Sequence, residues 1–501
     1  MYSDLNKYLE VLVPPARGAG RVIFGRVVLR TICSYSILPY SKGIDSRATH
    51  DTTRRMTMDD KMTKEQVLKE VKDKNVGMIR LWFFDIVGQV KSFAVSPREL
   101  ENALENGMGF DGSSVTGYQD IEESDMIAMP DPSTFRVIPW RPKDAPVARM
   151  ICDVMTPFGE AYEGDPRYVL KRAVKRANDM GYDHFYIGPE LEYYLFKDEK
   201  TLEPLDQGSY FDLTDQDVIS DIRRDTILGL EEMKIKVEYS HHEVGPSQHE
   251  IDIRYGDALD MADNVVTYRV IVKKIARRYG LYATFMPKPL FGQAGNGMHV
   301  HQSLFHGNVN AFFDANDPDN LSADARHYIA GQLHYAREMS AVLNQWVNSY
   351  KRLVPGYEAP CYIAWSLRNR SALIRVPVYH PGKEYATRLE LRNPDPACNP
   401  YLSFAVMLHA GLDGIEQKMP LGPAMDKNLY HLTSRERADL GIKSIPDSLG
   451  RAIDLAENSD LLRRALGDHV FSRFIELKNK EWDNYRVQVT PYELNTLLPI
   501  L

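Results

Sequence analysis

Four short strand-like segments of this chain present acids and bases on alternate residues: Gly188-Pro189-Glu190-Leu191-Glu192, His242-Glu243 with Glu250 after it, His299-Val300-His301-Gln302-Ser303, and Arg388-Leu389-Glu390-Leu391-Arg392. In a β-strand residues i and i+2 share a face, so Glu190 joins Glu192, His299 joins His301 and Ser303, and Arg388 joins Glu390 and Arg392. The opposite faces carry Leu191, Tyr193, Val300, Leu389 and Leu391. A sheet that buries these apolar residues must present five carboxylates, two imidazoles and two guanidiniums to one cavity. Metal ions and an anionic substrate are what balance such a set, because unpaired charge out of water is costly.

The rest of the chain has to supply a core large enough to hold that sheet. At 501 residues it accommodates a small domain and a large one, and a composition of 44% hydrophobic and 26% charged residues excludes disorder of the whole chain. Cys33, Cys152, Cys361 and Cys398 lie far apart with no Cys-x-x-Cys, which argues against a thiolate zinc site or a disulfide framework and for a reducing cytoplasm. Residues 1–55 hold nine basic against four acidic residues, so with a whole-chain net charge of −8 the remainder carries −13. An acidic body argues against nucleic acid as a partner, since phosphate neutralisation needs a basic face. The apolar stretch from Val22 to Leu38 is broken by Arg26 and Arg30, so no membrane span is expected there.

Strong pattern begins at Thr63. Residues 1–61 are expected to be an N-terminal extension, either disordered or read from a start codon upstream of the real one, with Met56, Met58 and Met62 close behind. From about 62 to 158 the signals are a helix at Lys64 to Lys74, strands at Met78 to Phe84, Val90 to Val95, Phe135 to Ile138 and Ala148 to Val154, and one helix at Pro97 to Asn106. That predicts a small β-rich domain. A second domain, 159–501, starts near Gly159 to Gly164. Asp165-Pro166 caps a helix that stops at Gly181, and further helices are expected at about 215–233, 260–279, 322–348 and 399–417, with strands between them.

A divalent cation held by carboxylates and one imidazole has its donors in Glu190, Glu192, Glu243, Glu250, Glu390 and His299, a set suited to Mg²⁺ or Mn²⁺ rather than Zn²⁺. Each alone reads as the ordinary charge of a solvated face; together they point to a metal centre. Small residues in Lys288 to Met298 stand just before the His299 strand, where glycines allow close backbone approach to a phosphate. The chain has no Gly-x-x-x-x-Gly-Lys-Ser/Thr, which excludes a P-loop. Arginines cluster at 352, 368, 370, 375, 388 and 392, and forked guanidiniums bind carboxylate and phosphate and offset the charge of a transferring phosphoryl group.

These segments, with Phe110-Asp111-Gly112-Ser113-Ser114, Glu122-Glu123-Ser124-Asp125-Met126, His241-His242-Glu243-Val244, Gln248-His249-Glu250, Lys351 to Pro360, Arg368-Asn369-Arg370-Ser371 and Asn393 to Ala397, closely resemble the type I glutamine synthetases from about residue 63 to the C-terminus. The resemblance implies an α+β fold, with a small N-terminal β-grasp-like domain and a large C-terminal catalytic domain whose curved antiparallel sheet is flanked by helices. It implies ATP-dependent ligation of ammonium to L-glutamate through a γ-glutamyl phosphate, in nitrogen assimilation, with two or more Mg²⁺ or Mn²⁺ ions per active site and ATP as cosubstrate.

Position by position, the resemblance implies that Glu192, Glu243 and Glu250 hold one ion and Glu190, His299 and Glu390 the other. Arg352 and Arg392 resemble the contacts to glutamate and the γ-phosphate, and Arg370, Arg375 and Arg388 the clamp on the ATP phosphates. Gly295 lies where the family contacts glutamate, His301 where it contacts nucleotide, and Glu238, Tyr255 and Ser303 where it lines the nucleoside. Asp111, with Tyr210 nearby, resembles the aspartate that favours and deprotonates ammonium, and Glu358 the flap glutamate that closes the site and takes the later proton.

A cytoplasmic dodecamer of two stacked hexameric rings, with active sites between subunits and Asp111 acting across an interface, is the assembly the resemblance implies; a small nitrogen-regulatory signalling protein is a further expected partner. Tyr430 sits where some type I enzymes are adenylylated, but only 17 residues separate Glu192 from Tyr210, so the insertion of that subtype is missing and an unmodified Tyr430 is expected. Asp120 stands where the feedback-inhibited subtype has arginine, and Ala294 where asparagine is usual. A ligase for another amine, such as a polyamine, and a non-enzymatic scaffold are the competing readings. The first is disfavoured by Asp111 with Tyr210, the second by the complete set of six metal donors.

Overall fold

The computed structural model describes residues 61–118, 125–213, 217–357 and 359–501. The N-terminal extension up to residue 60, Asp120 and Glu358 lie outside the described residues.

The first sheet contains β1 (Met78–Phe84), β2 (Val90–Val95), β3 (Met108–Asp111), β4 (Asp125–Pro130), β5 (Arg136–Val137) and β6 (Val147–Met155), in the order β2-β1-β6-β4-β3 with β5 on β6. β1 and β6 run parallel at its centre, and the other pairs are antiparallel. The near-continuous apolar run of β1 follows from burial on both faces. Ile79 and Leu81 pack with Val67, Val71 and Leu104, while Trp82 and Phe84 reach into the core of the larger domain. The helix Lys64–Asp73 opens with a capping box between Thr63 and Gln66. β3 and β4 are additional to the expected strands; β3, Met-Gly-Phe-Asp, is too brief to carry alternation, and β4 is an unalternating apolar run that closes on Pro130.

The second sheet is the larger: β7 (His184–Phe196), β8 (Val237–His242), β9 (Gln248–Ile253), β10 (Gly256–Asp257), β11 (Tyr282–Thr284), β12 (Met298–His306), β13 (Val309–Asn310), β14 (Tyr362–Ser366), β15 (Ala372–Arg375) and β16 (Leu389–Leu391). Its order is β14-β15-β16-β12-β7-β9-β8, antiparallel except between β14 and β15. Leu191, Tyr193, Val300, Leu389 and Leu391 are all buried on its apolar face. Helices Ala258–Arg278, Ala323–Leu343 and Pro400–Glu416 join the same core. Asn399 caps the last of these by accepting from Tyr401 N, and Asp165 caps Pro166–Asp179 through Arg167 N. The fold is therefore α+β. Four helices near the C-terminus, from Leu449 to Thr496, follow the last helix that periodicity marked.

Arg167 ties the first sheet to the larger domain. Its buried guanidinium meets Asp131 (2.8 Å) and Asp153 (2.5 Å) from the small sheet's side and Asp263 (3.1 Å) from the helix Ala258–Arg278. Burial pushes the Asp131 carboxyl up, but Arg167 and Ser133 pull it down further, so its net shift is below the usual range.

Candidate active site

The polar face of the larger sheet lines a cavity of about 440 Å³. Register builds it in rows: Glu190 stands opposite His299, Glu390 opposite both His301 and Arg375, and Glu250 opposite both Glu192 and His241. Opposed residues point to one face with Cβ atoms about 5 Å apart, so residues distant in sequence become neighbours in two acidic groups.

In the first group, Glu190 Oε1 lies 2.8 Å from His301 Nε2 and its Oε2 lies 3.3 Å from His299 Nδ1. Glu390 is buried beside them, with Oε2 accepting from Arg375 Nη1 (2.7 Å) and Oε1 from Arg392 Nη1. Burial alone would raise the Glu390 carboxyl, but Arg392 and the two imidazoles hold it at about 2. Burial and the Arg392 charge push His299 down to about 4, leaving the neutral imidazole that a metal ion requires.

The second group gathers Glu192, Glu243, Glu250 and His241. His241 Nδ1 is 3.5 Å from Glu243 Oε1 and its Nε2 is 3.8 Å from Glu250 Oε2. Burial and then the Glu243 charge drive Glu192 up to about 8. Burial followed by Asp252, Glu192, Glu190 and Glu243 drives Glu250 well above the usual range. His241 Nδ1 is buried without a hydrogen-bond partner. Crowded carboxylates that resist ionisation, beside an orphaned imidazole nitrogen, fit a divalent cation as donor set and as charge.

His242, adjacent to Glu243 in sequence, faces away from the cavity. Its Nδ1 lies 2.6 Å from the Glu243 carbonyl and its Nε2 3.0 Å from Asp206 Oδ1. Alternation puts His241, not His242, on the side of Glu243, and that signal was available in the sequence. Tyr239, Gln248, Asp252 and Tyr357 also line the cavity and were not singled out. Gln248 Nε2 donates to Glu192 Oε2 (2.9 Å), an orienting contact that no sequence pattern marks.

Arg352, Arg370, Arg375, Arg388 and Arg392 all line the cavity, as do Gly295 and Tyr210, whereas Arg368 does not. Arg352 is buried and donates to the carbonyls of Asn393 (2.7 Å), Pro394 (3.1 Å) and Arg392 (3.2 Å). A Cβ on Gly297 would stand 2.6 Å from Arg352 Nη2, and one on Gly295 2.8 Å from Arg352 Cγ. Gly295 and Gly297 thus make room for the Arg352 side chain. Arg388 Nε donates to His301 Nδ1 (3.2 Å).

Some expected residues are not brought together. Asp111 ends β3 in an exposed position, its Oδ1 accepting from Ser113 N (2.8 Å) and Oγ (2.7 Å), and it does not line the cavity that Tyr210 lines. Glu238, Tyr255 and Ser303 do not line it either; Tyr255 packs edge-on against Tyr186 with ring centres 5.6 Å apart. Tyr357 and Ala359, which flank Glu358, do line it. The Tyr430 hydroxyl donates to the Ala359 carbonyl (2.9 Å).

Residues 75–157 match the β-grasp domain of glutamine synthetase, and residues 163–497 match its catalytic domain. The chain is 53% identical over 443 residues to a glutamine synthetase of Methanosarcina mazei, covering 88% of this chain and 98% of that one. The chain belongs to the glutamine synthetase family. A glutamine synthetase of Mycolicibacterium smegmatis is 50% identical over 443 residues, covering 87% and 99% of the two chains. Among solved structures, a GmaS/ADP complex superposes with a TM-score of 0.79 at 31% identity, covering 86% of this chain and 99% of that one. The small sheet is thus a β-grasp domain and the large one the catalytic domain of an ATP-dependent ligase that makes glutamine from glutamate and ammonium. The family works with ATP and a divalent metal, and the acidic and histidine groups of the cavity are of the kind that holds one. Among the described residues no helix is long and apolar enough to cross a membrane.

Proposed function

We propose that this cavity converts glutamate to γ-glutamyl phosphate and then to glutamine, with the acids divided between two Mg²⁺ or Mn²⁺ ions. The observation that carries this reading is the pair of acidic groups on one sheet face, sharing a cavity with five arginines. Glu192, Glu243 and Glu250 would hold one ion and Glu190, His299 and Glu390 the other, as the raised carboxyls of the first set and the neutral imidazole of the second support. Such ions supply charge neutralisation for the phosphates and orientation of the attacking carboxylate.

The chain's own residues then do the rest. Arg352 orients glutamate through the N–H groups it has left after its three carbonyls, while Arg370, Arg375, Arg388 and Arg392 hold the phosphates. Once ATP binds, Arg375 and Arg392 exchange the Glu390 carboxylate for phosphate oxygens. Glu238, Tyr255, His301 and Ser303 contact the nucleotide, and Gly295 the glutamate. Glu358 closes over the site, supported by its neighbours Tyr357 and Ala359 on the cavity wall, and keeps water from the acyl phosphate. Asp111, with Tyr210, takes the first proton from ammonium and Glu358 the later one.

A second subunit would bring its Asp111 to the cavity, consistent with the exposure of that residue and with the exposed apolar side chains Val487, Val489, Tyr492, Leu498 and Ile500 at the C-terminal end. We assign the chain to a cytoplasmic dodecamer with the domain boundary at 158/159; buried, unpaired Cys152, Cys361 and Cys398 are in keeping with a reducing compartment. Phosphate release with glutamate and ammonium, and none with glutamate and putrescine, is the expected result. Phosphate release with putrescine, or none with ammonium, would overturn the assignment.

A further inference from the structure

A second cavity, of about 590 Å³, is also lined by residues of the segment 352–362. That segment serves both spaces. Arg352, Tyr357 and Ala359 line the catalytic cavity, whereas Leu353, Pro355, Cys361 and Tyr362 line the second. The second cavity has the charge of an anion receptor, since Arg337, Arg437, Lys443 and Arg451 face it against one carboxylate, Asp447.

The cations differ in how free they are. Arg437 is already engaged, its guanidinium 4.4 Å from the Tyr362 ring centre with Nη2 donating to Ser434 Oγ (3.2 Å) and Nη1 to the Leu432 carbonyl. Arg451 stands at the rim, 4.0 Å from Asp454, with an exposed side chain. Arg337, from the helix Ala323–Leu343, has its Nε buried without a hydrogen-bond partner. Arg337 forms no ion pair among the described residues, so its guanidinium brings uncompensated positive charge to the cavity wall. Lys443, whose carbonyl accepts from Ile363 N, also lines the cavity and forms no ion pair among the described residues.

We propose that this cavity is a regulatory site for a small organic anion with two or more negative charges, seated by Arg337 and Lys443. Its size is that of a metabolite pocket, and Leu353, Pro355, Ile445 and Tyr362 provide apolar wall for a carbon body. Phosphate esters and polycarboxylates share the required chemistry. An occupant pressed against Leu353 and Pro355 bears on the same backbone that carries Arg352 and Tyr357 into the catalytic cavity, so its binding biases that segment.

The test uses the full-length enzyme with its metal and saturating ATP and glutamate, and three probes: glycerol 3-phosphate, fructose 1,6-bisphosphate and citrate. At least one should bind saturably in calorimetry and change turnover without competing with either substrate; which probe does so separates phosphate ester from carboxylate. Arg337→Met and Lys443→Met should each weaken that binding about tenfold or more, as for loss of one charge-assisted hydrogen bond, while turnover without probe stays at the wild-type value. Absence of binding by all three probes, or unchanged affinity in the exposed-site variant Lys443→Met together with Arg337→Met, overturns the proposal. The catalytic reading is judged separately, by glutamine formation without probe.

Discussion

Replacing Glu192 with glutamine should stabilise the metal-free protein while weakening its hold on a metal ion. The carboxyl of Glu192 titrates at about 8, against an ordinary value of 4.5, because it is buried and faces Glu243, effects that Arg352 only partly offsets. A pKa raised on folding means that the folded protein keeps a proton which the unfolded chain releases above its own pKa. The associated stability is fully present below about pH 4.5 and is lost as the pH climbs towards 8. Between the ordinary value and pH 7 the loss is about 3 kcal/mol, at 1.36 kcal/mol per unit. Glutamine does not ionise, and its amide oxygen can still accept from Gly297 N and Gln248 Nε2, which now donate to Glu192 Oε2. In a chelator, Glu192→Gln should therefore melt several degrees above wild type near pH 8, with the gap closing towards pH 5. Added Mg²⁺ or Mn²⁺ should raise the wild-type melting point more than that of the variant, because at a given concentration the ligand bound more tightly by the folded state stabilises it more. Thermal melts across pH, with and without metal, measure both effects. Equal metal-free melting at pH 8, or an equal metal-induced rise in both proteins, would refute the reasoning.

Two other substitutions probe the frame around the site. Arg167→Met leaves Asp263 without its fork, while Asp153 keeps Lys171 at 2.6 Å and Asp131 keeps Ser133, so a loss of about 3–5 kcal/mol is expected in urea unfolding. That deficit should shrink as the pH falls through the carboxylate range, since Asp131 is held below its usual value and contributes stability only when ionised; an unchanged unfolding midpoint would count against the tie. Gly297→Ala places a methyl 2.6 Å from Arg352 Nη2 and 3.2 Å from Glu192 Oε1, so the KM for glutamate should rise about tenfold or more. A wild-type KM would sink the claim that this glycine makes room for Arg352.

Much of the fold could be read from one-dimensional pattern, and the misses have physical causes. Asp165-Pro166 and Asn399-Pro400 cap helices where expected because a cap is a local hydrogen bond between a side chain and an N–H two residues on. β3 escaped because it is only four residues long, and β4 because its apolar run Met126 to Met129 lacks alternation and closes on Pro130. In the site, all six expected metal donors line one cavity, five from the sheet and Glu243 from the turn after β8, and alternation puts His241 rather than the adjacent His242 on its side. The two arginines expected on phosphate sit on Glu390, since a buried carboxylate takes the nearest cations when no phosphate competes for them.

The sequence by itself determined which residues share a strand face, which helices cap and where, and which donors exist, because each depends on neighbours within a few positions. Tertiary structure alone decided how those faces meet. The pairing of β7 with β12 and β9, and of β16 with β12 and β15, brings residues as far apart as Glu190 and Glu390 to one pair of imidazoles. Interstrand register is set by hydrogen bonds between segments that no local period connects. The same long-range packing turned His242 to Asp206, set Gly297 against Arg352, and put residues of one segment on the walls of two cavities.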